Sequence, residues 1–187
     1  MISNKQFEDW ANKISQSDKS AFAECFNETY SMYINFSYRY VRSKECAADI
    51  VQDAFVILWK ERASLEANKS LKNYMFTIVR NRSLNHIRDE RMDYLPGNEM
   101  TIPDHQHVPE YDQFWNSVLE ELPGWIEVLP QRQREIFEMS RYEGLTHKEI
   151  AEILDISPQT VNTHINRALS KIRHKLEDYQ QKTTYSS

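Results

Sequence analysis

Between Ser157 and Leu176 the charged side chains are Arg167, Lys171, Arg173 and Lys175, and no acid interrupts them. At about 100° per residue, Thr160, Thr163, His164, Arg167 and Lys171 share one side of a helix, and Gln159 and Asn166 flank it. Val161, Ile165, Ala168, Leu169 and Ile172 fall on the other side. Amide, hydroxyl and guanidinium groups in this arrangement can read base edges in a major groove, and an ammonium can hold a phosphate. The bland alternative is the solvated basic face of a structural helix. The punctuation ahead of the helix favours the DNA reading. In LTHKEIAEILDISPQTVNTHI (145–165), Thr146 and Glu149 have capping-box spacing, and Ser157-Pro158 is an N-cap followed by a first-turn proline. This predicts a short helix, a tight turn and a second helix that can enter a groove. His164 reads as a hydrogen-bond partner on that face rather than a metal ligand.

Two further clusters stand upstream. From Leu71 to Arg88 the cations are Lys72, Arg80, Arg82 and Arg88, again without an acid. Tyr74 and Phe76 interleave with them, as do Asn73, Asn81 and Asn85. Cations beside aromatics and amides suit single-stranded nucleic acid, through backbone attraction and base stacking. A solvated basic face over core aromatics is an equal alternative. In DIVQDAFVILWKER, Ile50, Val51, Ala54, Ile57 and Leu58 make a sufficient core stripe. Phe55, Val56 and Trp59 fall outside it, beside Asp49, Gln52, Asp53 and Lys60. Apolar surface rimmed by polar residues suggests a protein contact. The alternative, that Phe55 and Trp59 pack under another helix, stays open.

The elements that carry these groups are helical. Phe22, Phe26, Tyr30, Tyr33 and Phe36 recur at steps of three and four, which predicts one helix with a broad apolar face. A shorter helix around 7–14 precedes it. CAADIVQDAFVILWKER is a further helix, and SLKNYMFTIVRNRSLNHIRDER another, with Ser70 as N-cap. Residues 93–114 contain Pro96, Gly97, Pro103 and Pro109 and lack a helical period, as a linker would. Beyond it, 115–122 and 124–128 read as helical. A helix from Pro130, ended by a left-handed Gly144, and the bihelical unit follow. The polar tail QQKTTYSS reads as fraying. The expectation is an all-α protein of two small helical domains, 1–92 and 115–187, joined by an acidic flexible linker, 93–114.

Composition fits this and excludes other classes. The 187-residue chain has 40% hydrophobic and 27% charged residues, which suits a soluble globular protein. Its only glycines are Gly97, Gly124 and Gly144, too few for phosphate-cradling loops or β-rich folds. Cys25 and Cys46 form no CxxC and no disulfide framework, and read as reduced cytoplasmic thiols. The N-terminus lacks a signal-peptide pattern, and no apolar run approaches a membrane span. Neither HExxH, GxSxG nor GxxxxGK[ST] occurs, and His105 and His107 are a poor metal signal. No enzyme activity, cofactor, metal or small-molecule substrate is expected. The net charge of -5 does not oppose DNA binding, because only the contacting face sets the attraction to phosphate.

Two blocks, DIVQDAFVILWKER with YMFTIVRNRSLNHIR, and LPQRQREIFEMSRYEGLTHKEIAEILDISPQTVNTHINRALSKIR, resemble the sigma subunits of bacterial RNA polymerase, specifically the extracytoplasmic-function (ECF) group. The resemblance implies a non-catalytic factor that brings core polymerase to promoters. It implies that Asp49, Gln52, Asp53, Val56 and Trp59 dock on the clamp coiled coil of the β′ subunit, with the β subunit also a partner. Residues 62–73 match the loop that captures a flipped base of the downstream element. Tyr74, Arg80, Asn81, Arg82, Asn85 and Arg88 match the surface that follows that element. Gln159, Thr160, Thr163, His164, Arg167 and Lys171 lie on the helix that matches the reader of the upstream element. Many family members carry a basic or small residue where His164 stands. An anti-sigma partner is implied, as is a cytoplasmic location. From Asp89 to Glu127 ten acids face the single Arg91, so the linker could mimic the RNA whose path it occupies in the family; ordinary solvation is the alternative. The 145–165 block also resembles the DNA-binding domain of quorum-sensing and response regulators. That reading needs a receiver or ligand domain ahead of it, and residues 5–92 show no βα alternation.

Overall fold

The structure, a computed structural model, describes residues 2–65, 70–93 and 113–185. The chain divides into two compact units, Met1–Met100 and Thr101–Ser187. Among the described residues there are helices and turns and no strand.

The first unit holds α1 (Asn4–Ser15), α2 (Lys19–Val41), α3 (Lys44–Lys60), a 3-10 turn (Arg62–Ser64) and α4 (Leu71–Asp93). Side chains start the helices. Ser3 Oγ accepts from Gln6 N–H, Asp18 Oδ1 from Ser20 and Ala21 N–H, and Ser43 Oγ from Cys46 N–H. Ser70 Oγ accepts from Asn73 N–H at 3.2 Å, which is the cap expected there. α2 ends on Arg42 in the left-handed region, and Arg42 N–H still reaches Tyr38 O.

The expected aromatic face of α2 is divided in two. Its deep stripe is Ala21, Cys25, Thr29, Tyr33, Phe36 and Ser37, all buried. The small members let neighbouring helices approach closely. At the base of this stripe Ser37 Oγ meets Ser83 Oγ of α4 at 2.9 Å in a buried pair. Phe22, Phe26 and Tyr30 lie on the shoulder, half-buried. Tyr33, Phe36 and Phe76 pack edge-to-face at the centre. Cys25 and Cys46 are free thiols.

The second unit holds α5 (Gln113–Glu127), α6 (Gln131–Arg141), α7 (His147–Leu154) and α8 (Pro158–Tyr185). α5 runs unbroken through Pro123, where the sequence suggests two pieces. Pro130 is the N-cap of α6 rather than its first turn. α6 ends at Arg141. Gly144 is left-handed (φ 61°) and turns the chain so that Leu145 N–H reaches Met139 O. The buried set includes Ile136, Met139, Leu145, Ile150, Leu154, Val161 and Ala168. Ile126, Leu129 and Ala168 form one cluster, with Leu122, Phe137 and Ile172 around it. Leu169, expected on the core side of α8, is 45% exposed. The buried line of α8 runs through Val161 and Ala168, and Leu169 is turned about 100° from Ala168. α8 continues to Tyr185, into the polar tail. Of the linker expected at 93–114, Asp93 belongs to α4 and Gln113 and Phe114 to α5; residues 94–112, with the His105/His107 pair, lie outside the described residues, as do 66–69 in the 62–73 loop.

Candidate nucleic-acid and partner interfaces

On α3, Asp49, Gln52, Asp53 and Val56 are exposed, and Val56 is the open apolar member at 49%. The expected excess of apolar surface is smaller than the sequence suggests. Phe55 is 2% exposed and belongs to the core: its ring lies 4.8 Å from Phe26, 6.0 Å from Phe22 and 6.1 Å from Tyr33. The shoulder aromatics of α2 cover it, so packing under another helix is the correct reading for this residue. Trp59 is half-buried, with Phe22 at 5.0 Å and the Arg62 guanidinium 4.5 Å over its ring. Gln52 Nε2 donates to Tyr30 Oη at 3.4 Å, so the α3 face is continuous with the edge of α2.

On α4, taking about 100° per residue, Tyr74, Asn81, Asn85 and Arg88 share one face. Arg82 flanks that face and Arg80 lies off it. Asn81, Asn85 and Arg88 are exposed and Tyr74 is half-buried. Phe76 is wholly buried and is core, not a stacking platform. Arg82 Nη1 donates to Asp53 Oδ2 at 2.8 Å, which joins the α4 group to the α3 group. Arg80 Nη1 approaches Asn81 Oδ1 at 3.5 Å, and Arg88 pairs with Asp89 at 3.2 Å. Tyr74 Oη donates to the Glu61 carboxylate. Burial, and then Glu61, push the Tyr74 hydroxyl well above its usual titration range, so it stays protonated.

In the second unit the capping box at α7 is complete. Glu149 N–H donates to Thr146 Oγ1, and Thr146 N–H donates to Glu149 Oε2. α7 ends on left-handed Asp155, and Ser157 Oγ accepts from Thr160 N–H at 3.0 Å to start α8. On α8, Gln159, Arg167 and Lys171 are exposed, and Thr160, Thr163 and His164 are half-buried. Thr163 Oγ1 donates to Gln159 O, which leaves the hydroxyl an acceptor only. His164 Nδ1 is buried with no hydrogen-bond partner. Burial, then the Arg132 and Arg167 charges, lower the His164 pKa. Lys171 also rims an open cleft of about 260 Å³ floored by Trp125, Val128 and Leu129.

Arg132 of α6 is the residue that sequence reading missed. It pairs with Glu135 at 2.7 Å and reaches Leu154 O at 3.4 Å, across the end of α7. It lies 32 positions before His164, and no periodicity within α8 points to it. Among the described residues no group of His, Cys, Asp and Glu could hold a metal ion, and no helix is long and apolar enough to cross a membrane.

Family models match both parts of the chain. "Sigma-70 region 2" covers residues 25–92 and "Sigma-70, region 4" covers 119–172. The ECF RNA polymerase sigma factor SigW of Bacillus subtilis (strain 168) is 26% identical over 176 residues, 89% of this chain and 94% of that protein. The ECF RNA polymerase sigma factor RpoE of Cereibacter sphaeroides is 27% identical over 164 residues, 85% of this chain and 88% of that protein. The chain belongs to the ECF-type RNA polymerase sigma factors. Sigma factors are non-catalytic and act in promoter-directed transcription initiation.

Solved structures share the fold. CnrH in complex with the cytosolic domain of CnrY aligns with a TM-score of 0.67 and 17% identity, over 92% of this chain and 98% of that one. RpoE from Bartonella quintana, in complex with the anti-sigma factor NepR, aligns with a TM-score of 0.65 and 21% identity, over 83% and 96%. In this sigma factor every α3 and α4 residue named above lies inside the region 2 match, and Gln159 to Lys171 lie inside the region 4 match.

Proposed function

We propose that this sigma factor grips promoters at two points. The observation that carries the proposal is the capped α7–α8 pair, whose second helix exposes Gln159, Arg167 and Lys171 in a stretch without acids. In the proposal α8 enters the major groove of an upstream duplex element, where Gln159, Thr160, Thr163, His164 and Arg167 meet base edges and Lys171 meets phosphate. The first unit docks on the β′ clamp of core polymerase through Asp49, Gln52, Asp53, Val56 and Trp59. The α4 face, with Tyr74, Asn81, Asn85 and Arg88 and with Arg80 and Arg82 beside it, follows the unpaired downstream strand. Unpairing is unfavourable, and base capture and stacking offset part of its cost.

An anti-sigma protein is the proposed regulator. The aligned structure of the sigma factor RpoE is a complex with the anti-sigma factor NepR, and that of CnrH is a complex with the cytosolic domain of CnrY. The exposed apolar Val56, about one to two turns beyond Asp49, Gln52 and Asp53 on the same face of α3, offers such a protein the surface that polymerase would use. The test is reconstituted transcription. Core polymerase with this chain should initiate at promoters selected from a random library, and core alone should not. Failure of the chain to confer any promoter preference on core would overturn the proposal.

A further inference from the structure

Tyr74 is the one aromatic side chain on the exposed face of α4, and its orientation is set from outside its own helix. We propose that Glu61 is a positioning residue for downstream-strand capture: by accepting the Tyr74 hydroxyl it holds the ring as a fixed stacking platform. The inference rests on the proposed role of the α4 face and adds a residue outside the sites already named.

Three features support it. First, the backbone of Glu61 is fixed by hydrogen bonds on both sides. Its N–H caps α3 by donating to Ile57 O at 2.8 Å. Its carbonyl accepts from Ser64 N–H at 2.9 Å and from Ser64 Oγ at 2.7 Å. Second, the next residue is anchored to two other elements. Arg62 Nη1 donates to Trp59 O at 2.6 Å, which satisfies a carbonyl left over at the end of α3, and Arg62 Nε donates to Ser17 Oγ at 2.9 Å, in the corner between α1 and α2. The guanidinium also covers the Trp59 ring. Glu61 therefore sits on a braced segment, and Tyr74 is tied to that segment across 13 positions of sequence. Third, the Tyr74 hydroxyl is already engaged, so it is not available as a donor to a base. What remains for nucleic acid is the ring face, which any base can stack on. The Glu61 carboxylate beside it repels phosphate, which favours approach by a base over approach by the backbone. A ring fixed in advance loses less side-chain freedom when a base stacks on it.

The experiment is a double-mutant cycle in holoenzyme, scored by the lifetime of competitor-resistant promoter complexes and by permanganate reactivity of thymines in the downstream element. Core affinity is measured in parallel. Tyr74→Phe keeps the ring and loses the hydroxyl, whereas Glu61→Ala keeps the hydroxyl and loses its acceptor. Each should shorten lifetime about two- to tenfold with core affinity unchanged. The double variant should be no worse than the poorer single variant, and Glu61→Gln, which retains an acceptor oxygen, should recover part of the loss. Wild-type behaviour of Tyr74→Phe or of Glu61→Ala, or multiplicative losses in the double variant, would overturn the inference. Tyr74→Ala separates the two levels. If it abolishes permanganate reactivity while Tyr74→Phe and Glu61→Ala behave as wild type, the α4 face stands and the positioning role fails. If Tyr74→Ala itself behaves as wild type, the α4 reading fails and this inference with it.

Discussion

Arg82 and Asp53 meet at 2.8 Å, a guanidinium from the proposed DNA-following helix against a carboxylate from the proposed docking helix. Both side chains are substantially exposed, at 40% and 60%. Such pairs contribute about 0–1 kcal/mol. Asp53→Ala should therefore lower the stability of the chain by less than about 1 kcal/mol in urea titration, while weakening capture of core polymerase in a pull-down. Full core affinity in a folded Asp53→Ala protein would remove Asp53 from the docking surface.

Phe55 and Val56 are neighbours with opposite fates, and this divides stability from binding. Phe55 is buried against Phe22, Phe26 and Tyr33. Phe55→Ala should cost roughly 3–5 kcal/mol of stability, through lost burial and the cavity left behind. Val56 is 49% exposed, so Val56→Ala should change stability by no more than about 0.5 kcal/mol. Its effect should fall on core affinity, read by competition against the wild-type chain. A large stability loss in Val56→Ala would mean that this face is packed within the protein.

These two residues also mark what the sequence could disclose. Among the described residues, periodicity and punctuation located α1 to α4 and α6 to α8, and Ser70, Thr146 and Ser157 cap the helices they were expected to cap, because capping and amphipathicity are local in sequence. What a second helix covers is not local. Phe55 lies outside the arithmetic stripe of α3, yet the shoulder of α2 closes over it. Pro123 reads as a break, yet α5 runs through it. Arg132 and Glu61 matter through partners 22 and 13 positions away, distances that no helical period connects.

His164 gives the second unit a pH dependence of known sign. Burial and the Arg132 and Arg167 charges hold its folded pKa below the ordinary 6.5. The unfolded chain therefore binds the proton more readily. The contribution of neutral His164 to stability is complete above about 6.5 and is lost as pH falls through the depressed folded value. His164→Gln should flatten the acid limb of the stability profile in that window. Arg132→Ala should raise the His164 titration midpoint seen by NMR in the full chain. An unchanged midpoint would mean that Arg132 does not act on the imidazole.

Arg167 and Lys171 stand one turn apart on the exposed side of α8, in line with Thr160, Thr163 and His164. Their chemistries predict different losses on promoter DNA. A guanidinium that reads a base edge discriminates among sequences, so Arg167→Ala in holoenzyme should cost roughly 1–3 kcal/mol on the selected upstream element and relax preference at one position. An ammonium on phosphate attracts all sequences alike. Lys171→Ala should weaken binding uniformly and reduce the slope of log affinity against log salt by about 1. Arg173 is the internal control: it is a cation of the same helix, but at about 100° per residue it projects away from this line. Arg173→Ala should leave sequence preference intact. If Arg173→Ala relaxed preference as much as Arg167→Ala, α8 would be held by its total charge rather than by the face described here.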